Sequence, residues 1–370
     1  MDGEAVKGWG MEKRRATVYD VAERAGVSIA TVSFAFRQPE RVKDSTREAV
    51  YRAADELGYA PSASARQLAG GSQGALGLYA FDMVLPSDRQ GSSETLDTQV
   101  ERDLDAGLQL GRFPLYVDEI QHGFQLESML RNRSVLIGSA ASDDHVATMD
   151  IAGSIDGLAM FPGTEMPQGI AKVAKRLPVV VFSRPVSDAF FEVRVDNVAA
   201  IHELVDHLVE VHGHRDVAFV GGLVAPDFVE RFAAFQDAQR RHGLPVADAP
   251  FDSTALTGAR LAGVREAIAA GALPDALVCA SDQLALTVLE FLGAHGVNVP
   301  RDVAVTGFDG IAAGVAATPS LTTVRQPFVT MGRLAVRILV GDEEVTGTRK
   351  HILPTRLVRR ASCGCREGED

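Results

Sequence analysis

The sequence predicts a mixed α/β protein: a small all-α unit at the N-terminus, followed by an α/β body with parallel sheets in two lobes. Three observations carry this. Residues 17–58 contain three short amphipathic stretches, each with the start and stop signals of a helix. From residue 75 onward, strand-length runs rich in Val, Leu and Ala alternate with helix-length amphipathic stretches. Strands that are apolar throughout, separated by helices, belong to parallel sheets covered on both faces. The alternating units are also too many for one compact lobe.

The elements of the first unit follow in chain order. Residues 1–12 lack periodicity and read as a disordered extension. Thr17-Val-Tyr-Asp20 has the spacing of a capping box, and Val18, Val21, Ala22 and Ala25 follow on one helical face. Gly26 supplies the positive φ of a tight turn. Ser28 can cap a second helix, Ser28 to Phe36, whose inward stripe is Val32, Ala35 and Phe36. Two short helices joined by a Gly-containing turn make a helix-turn-helix. Pro39 forces a loop. Ser45-Thr-Arg-Glu48 reads as another capping box, opening a third helix with Val50, Ala53, Ala54 and Leu57 on one face and Gly58 at its end.

Charge sets this unit apart. The 370-residue chain carries a net charge of −12. Between Lys13 and Gly70, however, ten basic residues face seven acidic ones, a balance of +3. An acidic body repels nucleic acid, and a basic head can hold phosphates. The three cysteines make no disulfide framework, and no other Cys or His cluster is seen to complete a metal site around Cys363 and Cys365. No signal peptide and no bilayer-length apolar stretch is present, so the chain reads as cytoplasmic, with no membrane partner.

Nearly every position from Thr17 to Ala69 resembles the headpiece of the lactose/galactose-repressor (LacI/GalR) family: the run Thr17 to Ser33, then Ser45-Thr-Arg-Glu-Ala-Val50, then Glu56-Leu-Gly-Tyr-Ala-Pro61. In a helix-turn-helix the N-terminal residues of the second helix face base edges in the major groove. That geometry places Ser28, Ile29 and Ala30 against bases. The resemblance makes Ile29 and Ala30 the variable reading pair. Both are apolar, so they offer van der Waals contact only, for instance to a thymine methyl. Hydrogen-bonded reading then falls on Ser28, Thr31 and Ser33, while Tyr19, Thr31, Ser33 and Arg37 are expected at phosphates or edges. Phe34 and Arg37 depart from the residues common in the family (Arg and Asn), which implies an operator that deviates from the common half-site.

The segment after Pro61 resembles the family's hinge helix, which orders when two subunits sit on DNA. Leu68 matches the leucine wedged into the minor groove, with Ala65 beside it; such a wedge parts a base step and kinks the duplex. Gly70-Gly-Ser-Gln-Gly74 also fits a hydrolase nucleophile pattern, but that motif needs a strand before it and a helix after it, and neither is predicted here.

In the body, strands are predicted at Ala75–Phe81, Gly157–Phe161, Val179–Phe182, Val217–Val220, Ala276–Ala280 and Val303–Thr306, with helices at Asn197–Val211, Pro226–His242, Gly258–Ala270 and Asp282–His295. The resemblance continues through Val195-Asp-Asn197, His212 to Gly222, Ser281-Asp282, Val305 to Asp309, Leu321 to Gln326 and Leu357 to Ser362. It implies a sensor like periplasmic sugar-binding proteins, with three chain crossings between lobes, near Val195, near Arg325 and at a final strand Ile352–Val358. The domains expected are residues 1–12 (extension), 13–61 (DNA-binding), 62–73 (hinge), 74–194 with 325–350 (first sensor lobe), and 195–324 with 351–364 (second lobe).

Ligands of such sheets bind at the carboxyl ends of strands. At matched positions, Arg231 is expected to grip hydroxyls or a carboxylate, Asp309 to accept from paired hydroxyls, and Ser281 to supply a polar contact. Phe81, Asp82 and Ser183 end strands of the first lobe and are added on that ground. Many members place an aromatic platform where this chain has Asp252 and Ser253, so stacking is expected from Phe251 or Phe228 instead. Residues 86–113 replace the expected helix with a longer polar sequence. His202, His207, His212 and His214 invite a metal reading, but His202 and His207 are five apart and do not share a helical face; no metal and no cofactor is expected. The sum is a homodimeric repressor that binds a pseudo-palindromic operator on double-stranded DNA under control of a small effector, a sugar. It is not read as an enzyme. The competing reading is a solute-binding protein with a non-functional head.

Overall fold

The computed structural model describes residues 16–37, 39–59, 74–82, 114–163, 165–223, 225–253 and 261–366. The hinge residues Ala65 and Leu68, the extension 1–12 and the insertion 86–113 lie outside the described residues. The chain divides into two units, residues 1–73 and 74–370.

In the first unit, α1 (Val18–Ala25) starts at a complete capping box: Thr17 Oγ1 accepts from Asp20 N, and Thr17 N donates to Asp20 Oδ2 at 2.7 Å. Gly26 ends it at φ 66°. Helix α2 (Ile29–Arg37) is capped by Ser28, whose Oγ accepts from Thr31 N at 3.1 Å. Helix α3 (Asp44–Leu57) begins one residue before the expected Ser45; its N-cap is Lys43, which makes no side-chain cap bond. Val21, Ala22, Val32, Ala35, Val50, Ala53 and Ala54 form the core, ringed by Val18, Ala25, Phe36 and Tyr59. Leu57, expected inside, is exposed. Tyr51 compensates in part: it packs on Phe36 with ring centroids 5.2 Å apart and donates to Ala35 O at 2.8 Å.

The second unit opens with β1 (Ala75–Phe81), α4 (Tyr116–Leu130), β2 (Ser134–Ala140), α5 (His145–Gly153), β3 (Gly157–Phe161), α6 (Ile170–Val173), β4 (Val179–Phe182) and β5 (Phe191–Val195). There follow α7 (Asn197–Asp206), β6 (Val217–Val220), α8 (Pro226–Arg241), α9 (Ala262–Ala270), β7 (Ala276–Cys279), α10 (Asp282–Ala294), β8 (Ala304–Asp309), α11 (Ala312–Ala316) and β9 (Thr322–Arg325). The chain closes with α12 (Phe328–Leu339), α13 (Glu343–Thr346), β10 (Lys350–Leu353) and β11 (Arg356–Val358). A six-stranded sheet runs β10-β5-β4-β3-β1-β2, parallel throughout. A five-stranded sheet runs β11-β9-β8-β7-β6, parallel except for β11 against β9. The predicted fold class, an all-α helix-turn-helix followed by a two-lobed body of parallel sheets, is the one observed.

The single final strand expected over Ile352–Val358 is two strands. β10 pairs with β5 in the first sheet and β11 with β9 in the second. Pro354 separates them; lacking an N–H, it cannot continue a ladder. The chain also passes between lobes from β5 to α7 and from β9 to α12. Helix α7 departs from the expected 197–211 as well: from His207 to Val211 the winding is that of a π-helix. Among the described residues no helix is long and apolar enough to cross a membrane.

Candidate functional site

On the first unit, the start of α2 stands in solvent. Ser28, Ile29 and Ala30 are exposed, Ile29 at 41%, and Thr31 and Ser33 are half-buried. Ser28 Oγ is held by its own helix: it takes the Thr31 N–H and lies 2.9 Å from Thr31 Oγ1. Tyr19 on α1 is 67% exposed and Phe34 42%, so neither belongs to the core. Arg37 ends α2. An exposed helix N-terminus carries unsatisfied N–H groups and partial positive charge, which favours phosphate.

In the second unit a cavity of about 210 Å³ opens between the lobes. One wall comes from the strand ends of the first lobe: Asp82 after β1, Phe161 to Gly163 after β3, and Phe182 to Arg184 after β4. Tyr116 of α4 joins this wall. The facing wall is Ala225, Pro226 and Asp227 at the start of α8, where Pro226 occupies the first turn, its missing N–H costing nothing. The rings of Phe161 and Phe182 stack at 4.8 Å, and Tyr116 stacks on Phe328 at 5.3 Å. An apolar aromatic wall with a few aimed polar groups is the general make-up of a small-molecule site.

Behind Asp227 lies a buried polar cluster. Arg231, 2% exposed, donates from Nε to Asn197 Oδ1 at 2.9 Å and from Nη1 to Ala280 O at 2.6 Å. Its Nη2 is 3.3 Å from Asp227 Oδ2, its Nη1 3.9 Å from Asp309 Oδ1, and its guanidinium lies 3.7 Å from the Phe308 ring centroid. Asp309 Oδ1 also accepts from Gln326 Nε2 at 2.8 Å. Burial pushes the Asp227 and Asp309 carboxyls above the usual carboxylate range, and Arg231 opposes that in both. The Tyr116 phenol is raised by burial and by these two acids, so it stays protonated and can donate.

Backbone strain marks the same place. Asp82 (φ 56°), Ser183 (φ 59°) and Asp309 (φ 133°) are non-glycine residues at positive φ, each at the carboxyl end of β1, β4 or β8. Such conformations persist only where the surroundings impose them, and they cluster at ligand sites.

The structure thus brings Asp82 and Ser183 to the cavity wall and Arg231 and Asp309 to the cluster directly behind it. Phe81 is different. Its side chain is fully buried among Leu158, Met160 and Ile170 and does not line the cavity. Alternation along β1 turns it away, and Phe161 and Phe182 supply the aromatic faces instead. Ser281 caps α10, accepting from Leu284 N at 3.3 Å, and also lies off the cavity. Asp252 accepts from Val264 N, which makes it a loop anchor. Of the two stacking candidates, Phe251 packs on the core and Phe228 lies near Arg231, 5.5 Å from its guanidinium. Tyr116, Phe161, Phe182, Asn197, Asp227 and Gln326 were not singled out from the sequence; for Asn197 and Gln326 the signal was present, since both stand in the quoted motifs.

A second cluster overturns a reading. His207, His212, Cys363 and Cys365 lie together, with one ligand-type atom of each within 4.8 Å of the others. The Cys363-Gly-Cys365 pair therefore does meet a histidine cluster.

Comparison with known proteins places these observations. Residues 17–62 match the family model for bacterial regulatory proteins of the lacI family, and residues 205–363 match that of a periplasmic binding protein-like domain. An HTH-type transcriptional regulator of Mycobacterium tuberculosis is 30% identical over 386 residues, spanning 95% of this chain and 98% of its own length. The fold is similar to that of the lac repressor dimer bound to operator and the anti-inducer ONPF (TM-score 0.74, 23% identity, 95% of this chain and 99% of that chain). It is also similar to a complex of the transcriptional regulator CelR with cellobiose (TM-score 0.61, 26% identity, 94% of this chain and 100% of that chain).

Proposed function

The chain belongs to the lacI family of bacterial regulatory proteins, a DNA-binding transcription regulator, and from that membership we propose that it is a repressor released from or tightened on its operator by a sugar held between its lobes. The observation that carries the sugar reading is the composition of the interlobe cavity. Aromatic faces from Tyr116, Phe161 and Phe182 suit the apolar faces of a pyranose, and Asp82, Ser183 and Asp227 stand ready for its hydroxyls. Arg231 and Asp309 hold Asp227 and the lobe junction in register. Ser281 acts through the cap of α10, and Phe81 through packing.

On DNA, Ile29 and Ala30 contact base edges through their apolar surfaces, Thr31 and Ser33 supply hydrogen bonds, and Ser28 orients Thr31. Tyr19 and Arg37 take phosphates, and Leu68 with Ala65 forms the minor-groove wedge. The protein acts as a homodimer on a pseudo-palindrome, in the cytoplasm, without turning its effector over. Met129 and Leu130 on α4 and Leu136 and Ile137 on the edge strand β2 are exposed apolar side chains of the kind a partner can cover.

Fluorescence anisotropy with fragments from the protein's own genomic neighbourhood, across a salt series and a panel of sugars and purines, tests the reading. Salt-sensitive binding to one fragment is expected, shifted about 5- to 150-fold by a sugar, the usual range of coupling between sites. A purine shifting it where no sugar does would refute the sugar; failure to bind any fragment would refute the regulator.

A further inference from the structure

The tail beyond β11 ends in a built cluster that the regulatory reading does not use. His207 begins the π-turn after α7, and His212 ends it. In an α-helix residues five apart point away from one another, whereas a π-turn closes hydrogen bonds from i to i+5 and brings such a pair together. His207 Nε2 and His212 Nε2 are 3.1 Å apart. Cys363 Sγ is 3.6 Å from His207 Nε2, and Cys365 Sγ is 3.4 Å from both imidazole nitrogens. Zinc bonds of about 2.3 Å to sulfur and about 2.05 Å to nitrogen give a tetrahedron with N–N edges of about 3.3 Å and N–S edges of about 3.6 Å. The four measured separations lie within a few tenths of an ångström of those edges.

The surroundings hold the geometry. Ser362, fully buried, accepts from Thr322 N at 2.9 Å and donates to Val305 O at 2.6 Å, fixing the 3-10 turn Ala361–Cys363 on β8 and β9. Arg360 Nη1 donates to Leu321 O at 2.7 Å. Thr322 Oγ1 stands 3.0 Å from Cys363 Sγ, placed to donate to a thiolate, as outer partners of metal ligands do. Gly364, at φ 103°, turns Cys365 back towards the histidines; a side chain there would be strained and would touch the His212 ring. His207 is 5% exposed; among the described residues its Nδ1 has no hydrogen-bond partner, and its Nε2 is aimed at the cluster.

We propose that His207, His212, Cys363 and Cys365 bind one zinc-class divalent metal ion that fastens the C-terminal tail to the second lobe. Two imidazoles and two thiolates around a tetrahedron are a closed structural set, with no open position for chemistry. Binding releases the two thiol protons to solvent and leaves a neutral site.

The test uses the full chain, purified under reducing conditions, dialysed against zinc and then against metal-free buffer. Mass spectrometry of the native protein is expected to find about one zinc per chain, and Cys365→Ser to lower it about tenfold or more while operator binding is kept. Cobalt titration of the wild-type chain gives a second readout that does not depend on the variant folding: intense tetrahedral bands with thiolate charge transfer are expected. Removal of the metal is expected to lower the melting temperature of the sensor by about 5–10 °C. Less than about a tenth of an equivalent of zinc, an octahedral or absent cobalt spectrum, undiminished metal in Cys365→Ser, or a Cys363–Cys365 disulfide in the metal-free chain as purified would each overturn the proposal.

Discussion

Asp227 and Arg231 stand four residues apart on α8, and burial acts on them through each other. Removing a carboxylate from water disfavours its charge, and a guanidinium 3.3 Å away offsets only part of that. With Asp309 also in reach, one arginine serves two acids, so Asp227 can lend an oxygen to the cavity without leaving Arg231 unpartnered. Asp227→Asn keeps the volume and removes the charge. It is expected to weaken effector binding about 10- to 100-fold, the worth of a charge-assisted hydrogen bond of about 1.5–3 kcal/mol, with effector-free operator affinity unchanged. Calorimetry with whichever sugar shifts operator binding checks this, and an unchanged dissociation constant would remove Asp227 from the proposed site. Asp309 was marked by the family resemblance, whereas strand-end position alone pointed to Asp82 and Ser183, because a parallel sheet presents its carboxyl edge to ligand. It pointed equally to Phe81, whose orientation depends on which face of the sheet the ring enters.

At the scale of elements, helices α4 and α12 cross with their backbones in contact. A Cβ on Gly332 would come to 2.0 Å from Ile120 O, and one on Gly123 to 2.1 Å from Val329 O. Neither neighbour is a movable side-chain tip, so both positions require glycine. Gly332→Ala is expected to destabilise the sensor by about 1–3 kcal/mol through overpacking, read as a lowered urea midpoint; a neutral result would mean that the helices separate at little cost. In the first unit, Thr17→Ala removes the capping box of α1 and is expected to cost the head about 1 kcal/mol, measurable as a lower melting temperature of the isolated change in helical signal. Periodicity revealed α1, α2 and α3 because each has one apolar stripe. It missed β2, a largely exposed edge strand whose apolar run is only the three residues Val135-Leu136-Ile137, and the π-turn, whose winding no periodic pattern announces.

Across the whole molecule, one polar network joins the cavity to the crossing segments. Arg194, at the end of β5, donates to Glu230 at 3.2 Å; Asn197 Nδ2 donates to Glu230 Oε2 at 2.6 Å; and Asn197 Oδ1 accepts from Arg231. On the far side, Gln326, just after β9, bonds Asp309. Two of the three passages between lobes are therefore tied to the groups behind the cavity, so in the proposed reading lobe closure and effector contact would bear on the same side chains. Glu230→Gln is expected to reduce the ratio of operator affinities with and without effector by about 0.5–2 kcal/mol of coupling, more than it changes either binding step alone. Anisotropy at saturating and zero effector measures that ratio, and an unaltered value would detach the network from regulation.

The sequence by itself determined the helix-turn-helix with the caps of its first two helices, the alternation of strands and helices in a parallel body, and the strand ends that border the interlobe cavity. Each of these rests on local steric and hydrogen-bonding rules, or on a short-period apolar pattern, that a few neighbouring residues satisfy among themselves. Only the tertiary structure decided which side chains meet. Asp227 faces Phe182 across the lobes, Asn197 reaches Arg231 from another helix, and Cys363 and Cys365 reach His207 and His212 from about 150 residues away. Such encounters depend on sheet order, on the crossing of helices and on one π-turn, and none of these leaves a periodic trace in the chain.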